Sequence, residues 1–467
     1  MENKIKRDTA FINLVSDFES RFEQGEVGYL EEKIFFQLIE YYEDEYLYEK
    51  SLEVVDIALQ QYKYRSDFYI VKARLQLNLN KIDAGLETLR IAENVAPFER
   101  EIGILKARAY AFKKQFDLAQ EILQDLSLGA TKSDFVDILI AESFVYEHMK
   151  DFDAMYNALA TAVAHDCRNE EAMERIWISV ELSRRYEDSV ELHKSIINND
   201  PYNYQAWYNL GHGYICIGEY EKAIEALEYS FIVNPEFESA YLDCADICRE
   251  IRNFERALEI YVEANTKFGP NHELMVNIAQ CNIELNRIGV AKQWLLKSIR
   301  RDSYNDEAYY LLGECYAKDG IWYNAINAYH KAIDIETRRE EYYLGLAKAY
   351  VAVEDYNKAT INFQKATETG PEETLYWREY ASFLVKLGLY DEALQVLDEA
   401  DEHTYGTDLV YCRAAALYLS KDKEECMFLL EDALPEDYAS HTIIFDLAPE
   451  IRLDKEIWAM VKYYKEE

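Results

Sequence analysis

The sequence predicts an all-α fold, a solenoid of about twelve stacked helical hairpins, and three observations predict it. Six alanines, Ala223, Ala257, Ala291, Ala325, Ala359 and Ala393, stand 34 residues apart, and a fixed period of that length marks one supersecondary unit repeated along an axis. Laid out at this step from residue 32, the eighth position is Gly, Ala or Ser in ten of twelve units and the twentieth is small in eleven. Two helices that cross closely require this. Four of the seven prolines, Pro97, Pro201, Pro235 and Pro371, fall at position 32, where a proline stops the second helix of a unit.

The elements follow in order. Residues 1–31 carry an apolar stripe at helical spacing, Phe11, Leu14, Val15, Phe18 and Phe22, ending at Gly25, and predict an N-terminal capping helix over the exposed end of the stack. Residues 32–135 form units 1–3. Residues 136–203 form units 4 and 5, where the pattern predicts irregular stacking: the step before unit 4 is 36 residues, Met155 and Trp177 take small positions, and His193 takes an apolar one. His193 reads as a satisfied core histidine. Residues 204–407 hold units 6–11, and 408–437 a twelfth unit one residue short in its turn. In 438–467, Ile443, Ile444 and Leu447 precede Pro449, and Ile457, Trp458, Val461 and Tyr464 predict C-terminal capping helices.

Composition narrows the function. The chain has 467 residues, 49% of them hydrophobic, with 50 Lys+Arg against 88 Asp+Glu and a net charge of −38. Phosphate binding needs clustered cations, so nucleic acid and anionic membrane are not expected partners. The acidic excess reads first as a solvated exterior that keeps a long solenoid soluble; if a partner is basic, the C-terminal third is its expected contact, because residues 371–467 carry 23 acidic and 9 basic side chains while 66–135 carry 10 of each. The start lacks an apolar segment of signal-peptide length and no apolar run is long enough to cross a membrane, which predicts a cytoplasmic protein. The eight cysteines form no CxxC pair, and Cys244 and Cys248, one helical turn apart, read as small core residues. No HExxH, GxSxG, P-loop or GxGxxG occurs and the eight histidines are dispersed; neither enzyme nor cofactor nor metal is expected.

The unit from Tyr204 reads Trp207, Leu210, Gly211, Tyr214, Ala223, Leu227, Ser230, Pro235, and the unit from Asp306 reads Tyr309, Leu312, Gly313, Tyr316, Ala325, Tyr329, Ala332. This W-x2-L-G-x2-Y, A-x3-F, P pattern closely resembles the tetratricopeptide repeat (TPR), over nearly the whole chain. The resemblance implies two antiparallel helices, A and B, per unit. It implies a right-handed superhelix whose A helices line a concave groove with positions 2, 5, 6, 9, 12 and 13. The nearest likeness in kind is a stand-alone, soluble bacterial TPR protein, and the expected role is a non-catalytic scaffold that binds a peptide or helical segment of a partner.

On that grid the candidate groove residues are Tyr208, Asn209 and His212 of unit 6, Asp243 and Asp246 of unit 7, Asn277 and Gln280 of unit 8, Tyr310 and Glu314 of unit 9, and Lys348 of unit 10. A side-chain amide donates and accepts at once, so a ladder of them can hold an extended backbone of any sequence; Tyr208 and Tyr310 add apolar contact. The short run of Asn209, Asp243 and Asn277 resembles the asparagine ladder of TPR superhelices such as that of the O-linked N-acetylglucosamine transferase, without a catalytic domain. No unit has the Lys at position 5 of the two-carboxylate clamp, so acidic chaperone tails are not expected ligands. The second expected role is a self-assembling homo-oligomer held by the terminal stripes or by an exposed face.

Overall fold

A computed structural model describes residues 13–22, 24 and 27–464 of the chain. Phe11 and Gly25 of the N-terminal stripe lie outside the described residues. Among the described residues twenty-four helices pair in chain order into twelve antiparallel hairpins, from hairpin 1 (Glu32–Asp44 and Tyr48–Gln61) to hairpin 12 (Thr407–Leu419 and Lys423–Glu436). No strand occurs among the described residues. The fold is an all-α solenoid of stacked hairpins. Its contacts divide it into two compact units, residues 1–240 and 241–467.

The repeated small residues explain the pairing. All six ladder alanines have 0% exposure, each under the A helix of its own hairpin, where a larger side chain would push the helices apart. At Gly313 the approach is closest: a Cβ there would stand 2.6 Å from the Tyr329 ring, and one at Gly345 would stand 2.8 Å from the same ring. Several helices start on side-chain caps, among them Asn169, Asn203, Asn253, Asn271 and Asn305, whose oxygens accept from N–H groups the helix leaves unpaired.

The A–B turn is the same in nearly every hairpin. One residue takes a left-handed conformation in each: Tyr46, Asn80, Lys114, Lys150, Arg184, Gly218, Arg252, Asn286, Gly320, Glu354, Gly388 and Lys421. The next residue's N–H then bonds back to a carbonyl five residues earlier, as in Leu47 to Tyr42 (2.7 Å) and Arg287 to Asn282 (2.7 Å), the pairing that closes a helix C-terminus. The turn at Arg184, in hairpin 5, lacks that bond. Hairpin 5 also carries Trp177 at its small position, and its two helices, Glu170–Ser183 and Tyr186–Asn199, are the loosest pair in the first unit. The extra residues before hairpin 4 lengthen its A helix to Lys132–Met149, started by a capping box at Thr131 and Asp134.

Both ends of the stack are covered. Val15 and Phe18 bury against Phe35, Leu38 and Tyr42 of hairpin 1. In the second unit Ile444, Leu447, Ile451, Ile457 and Val461 extend the core of hairpin 12, while Trp458 keeps 37% of its surface exposed.

Candidate partner-binding face

In the first unit the A helices form a cleft of about 480 Å³. Its walls come from one face of successive helices. Glu101, Ile104 and Arg108 lie on the A helix of hairpin 3 (Arg100–Phe112), Asp137 and Ile140 on that of hairpin 4, with Arg74 and Glu171 from the hairpins on either side. Spacings of three and four residues put each set on one helix face. Ile138 and Ile140, with 1% and 2% exposure, make an apolar floor beside Leu105.

Charges in the cleft are largely paired across hairpins. Arg74 Nη2 reaches both carboxylate oxygens of Glu43 (3.1 and 3.2 Å), Arg108 Nη2 reaches Glu171 Oε1 (3.1 Å), and Arg100 pairs with Asp134. Arg108 also lies over the Phe144 ring at 5.6 Å, while its buried Nε–H has no hydrogen-bond partner. Glu101 and Asp137 are exposed, yet each stands in a concave wall of protein that strips away part of its water. This desolvation pushes both carboxyls above their usual range, against the pull of Arg74 on Glu101 and of Arg108 on Asp137.

Three of the sequence-predicted residues lie in the first unit, on helix Tyr204–Cys216. Asn209 does not line a groove. It is 4% exposed, and its Nδ2 donates to the Met173 carbonyl (3.0 Å) and to His193 Nε2 (3.3 Å). Its amide is spent inside the core because His193, fully buried in an apolar position, needs a polar neighbour. Tyr208 and His212 are half-buried and form an aromatic row: the His212 ring stands 5.2 Å from Trp177 and 4.5 Å from Tyr208, which stands 4.9 Å from Phe237.

The other seven lie in the second unit. Asp246 and Gln280 are brought together by Arg249, which donates to both (3.2 and 3.1 Å); Tyr261 also donates to Asp246, and Gln280 Nε2 donates to Glu307 (2.7 Å). Tyr310 stacks on Tyr342 at 4.9 Å and lies 6.0 Å from Tyr329, whose hydroxyl donates to Glu314. Burial pushes the hydroxyls of Tyr310 and Tyr329 well above the phenol range, with Glu314 adding to both. Lys348 is exposed and pairs with Glu379 (3.1 Å). Asp243 is half-buried, and so is Asn277, whose amide makes no hydrogen bond to another described residue. These side chains form cross-links between neighbouring A helices more than a row of free amides.

The cleft itself is absent from the sequence-predicted set. The signal that finds it is the same positional rule applied to hairpins 2–5: arginine at position 9 in Arg74 and Arg108, acid at position 2 in Glu101, Asp137 and Glu171, isoleucine at position 5 in Ile104 and Ile140. No group of three potential metal-ligating side chains occurs among the described residues.

The family of YpiA-like, C-terminal tetratricopeptide repeats matches residues 342–403, hairpins 10 and 11, and a further tetratricopeptide-repeat family matches 206–228 in hairpin 6. Both matches fall on hairpins built as described above. The chain is a TPR protein. It is similar to the TPR repeat-containing protein YpiA of Bacillus subtilis, 20% identical over 76% of this chain and 84% of YpiA. It is also similar to the TPR repeat-containing protein MJ1428 of Methanocaldococcus jannaschii, 23% identical over 71% of this chain and 55% of that one. The chain spans 19% of the human Superkiller complex protein 3, at 22% identity. Among solved structures, a TPR protein from Parabacteroides merdae aligns with a TM-score of 0.42 at 17% identity, over 52% of this chain and 98% of its own. YrrB, titled a TPR protein with an unusual peptide-binding site, aligns at 0.34 and 16% identity, over 40% of this chain and 96% of its own. TPR proteins generally act as protein-interaction scaffolds, and the TPR fold is generally non-catalytic. No helix of the described residues is long and apolar enough to cross a membrane.

Proposed function

We propose that this TPR protein is a non-catalytic scaffold that holds an extended or helical segment of a partner protein against its A-helix face, with the cleft of hairpins 2–5 as a principal contact. The observation that carries this reading is the cleft: a cavity of about 480 Å³ with an apolar floor and charged walls, the composition of a specific binding site. The half-buried row of Trp177, His212, Tyr208 and Phe237 offers a second contact on the same compact unit. The scattered spacing of the eight cysteines, with no CxxC pair, accords with a reducing, cytoplasmic setting.

Photo-crosslinking tests it. With p-benzoylphenylalanine at Ile104 on the cleft wall, discrete adducts are expected in cells, and with the same residue at Ile91, exposed on a B helix, none. Equal adducts from both positions would overturn the reading. An adduct of twice the chain's own mass at Ile104, together with concentration-dependent light scattering, would replace it by self-assembly.

A further inference from the structure

The cleft of hairpins 2–5 also says what kind of side chain it accepts, given the reading above that a partner segment lies on the A-helix face. Its three arginines are each already matched by a carboxylate: Arg74 by Glu43, Arg100 by Asp134, Arg108 by Glu171. Three exposed lining carboxylates, Glu99, Glu101 and Asp137, stand outside these ion pairs, with Arg74 and Arg108 acting on Glu101 and Arg108 on Asp137 only at longer range. They stand around Ile104, Leu105, Ile138 and Ile140. We propose that this cleft takes a lysine or arginine side chain of the partner segment, its methylene stem on the isoleucines and its charged head between Glu101 and Asp137.

The geometry favours this over an acidic occupant. A basic side chain combines an apolar stem with a cationic tip, and so buries on a greasy floor while its head meets carboxylates. An acidic side chain would find each guanidinium already paired with a carboxylate, the Arg108 Nε–H its one unpartnered donor among the described residues, and three like charges beside it. A cation also relieves the repulsion between Asp137 and Glu171, which adds to the partial desolvation that lifts the Asp137 carboxyl. Net charge alone points elsewhere, to the strongly acidic residues 371–467. The cleft lies where acidic and basic side chains are nearly even in number, and ion pairing beside an apolar floor, not charge count, distinguishes it.

A full chain this acidic attracts any cationic peptide weakly, so the test separates the cleft from the general field. Fluorescence anisotropy is measured with three labelled dodecapeptides that alternate leucine with lysine, with glutamine or with glutamate. The lysine peptide is expected to bind about tenfold tighter than the glutamine peptide, and the glutamate peptide weakest. Glu101→Gln/Asp137→Asn is expected to remove most of that preference, and Glu431→Gln/Asp432→Asn, an equal charge change on exposed residues of hairpin 12, to leave it within about twofold. The single variants Glu101→Gln and Asp137→Asn each carry part of the loss and serve if the double variant melts early. Equal losses in the cleft and hairpin 12 variants, or equal binding of lysine and glutamine peptides, would overturn the proposal. In the second case binding that is still abolished by Ile104→Asp leaves the scaffold reading standing. Absence of binding by every peptide at millimolar concentration counts against both.

Discussion

His193 Nε2 and Asn209 Nδ2 lie 3.3 Å apart inside the first unit, joining the B helix of hairpin 5 to the A helix of hairpin 6. His193 Nδ1 lies 2.8 Å from the Ser189 carbonyl. A carbonyl only accepts, so the proton sits on Nδ1, and Nε2 is the acceptor for the Asn209 amide. The second amide hydrogen of Asn209 goes to the Met173 carbonyl. The histidine is therefore held neutral by a set of partners that offers no acceptor for a second proton.

This predicts an acid sensitivity with a definite sign. Burial lowers the His193 pKa from 6.5 to about 4, so between those values the unfolded chain binds a proton that the folded chain does not. The contribution is complete above about pH 6.5 and is lost as pH falls toward 4, on the order of 3 kcal/mol in all. Urea unfolding at pH 7 and pH 5 should show a larger fall in midpoint for the wild type than for His193→Leu/Asn209→Leu. A wild-type pH dependence unchanged by that replacement would refute the assignment.

Asn209 and Asn277 occupy equivalent positions in their units and should respond differently. Asn209→Ala leaves His193 Nε2 and the Met173 carbonyl without their donor inside the core, a loss of about 2–3 kcal/mol. Asn277→Ala removes no hydrogen bond and should stay within about 0.5 kcal/mol. Thermal melts of the two single variants check this. A comparable loss in both would mean that Asn277 is bound more tightly than its half-buried amide indicates.

That contrast also marks how far the sequence reaches. The hairpins were legible because Ala223 to Ala393 and the prolines mark close packing and helix ends within one unit, at fixed offsets. Asn209 read as a groove amide because the positional rule assumes a regular neighbour, and hairpin 5 is not regular: His193 turns the asparagine inward. The cleft's lining follows the positional rule, but its pairing does not: Arg108 meets Glu171, 63 residues apart in the chain, only through the stacking of successive hairpins. The left-handed turns were hidden for a different reason. Of the twelve, glycine marks Gly218, Gly320 and Gly388, whereas residues as unlike as Tyr46, Arg252 and Glu354 adopt the same backbone.

Tyr329 offers a test of the packing rule. Its ring lies against the backbones of both Gly313 and Gly345, where an added Cβ would stand 2.6 and 2.8 Å from it. Gly313→Ala should therefore cost about 1–3 kcal/mol, the usual cost of overpacking a filled core, despite alanine's better helix propensity. Because the clash is with one ring, Tyr329→Leu should cost less in the Gly313→Ala background than in the wild type. A double-mutant cycle by urea unfolding gives the coupling, and additive losses would show that the strain lies elsewhere.

The A–B turns carry removable strain at solvent-facing positions. Lys114 and Glu354 hold φ of 58° and 60°, a conformation that costs a residue with a Cβ about 1–2 kcal/mol and costs glycine nothing. Glycine also gives the unfolded chain more freedom, which offsets part of the gain. Lys114→Gly and Glu354→Gly should each raise stability by about 0.5–1 kcal/mol. Asn286→Gly should gain less, since asparagine tolerates this conformation, and Gly218→Ala, at φ 78°, should lose about 1 kcal/mol. Urea midpoints ordered in this way, gain at Lys114 and Glu354, little change at Asn286, loss at Gly218, tie the twelve turns to one backbone requirement. A loss at Lys114 or Glu354 would show that the side chain there does something for the turn that its backbone geometry does not reveal.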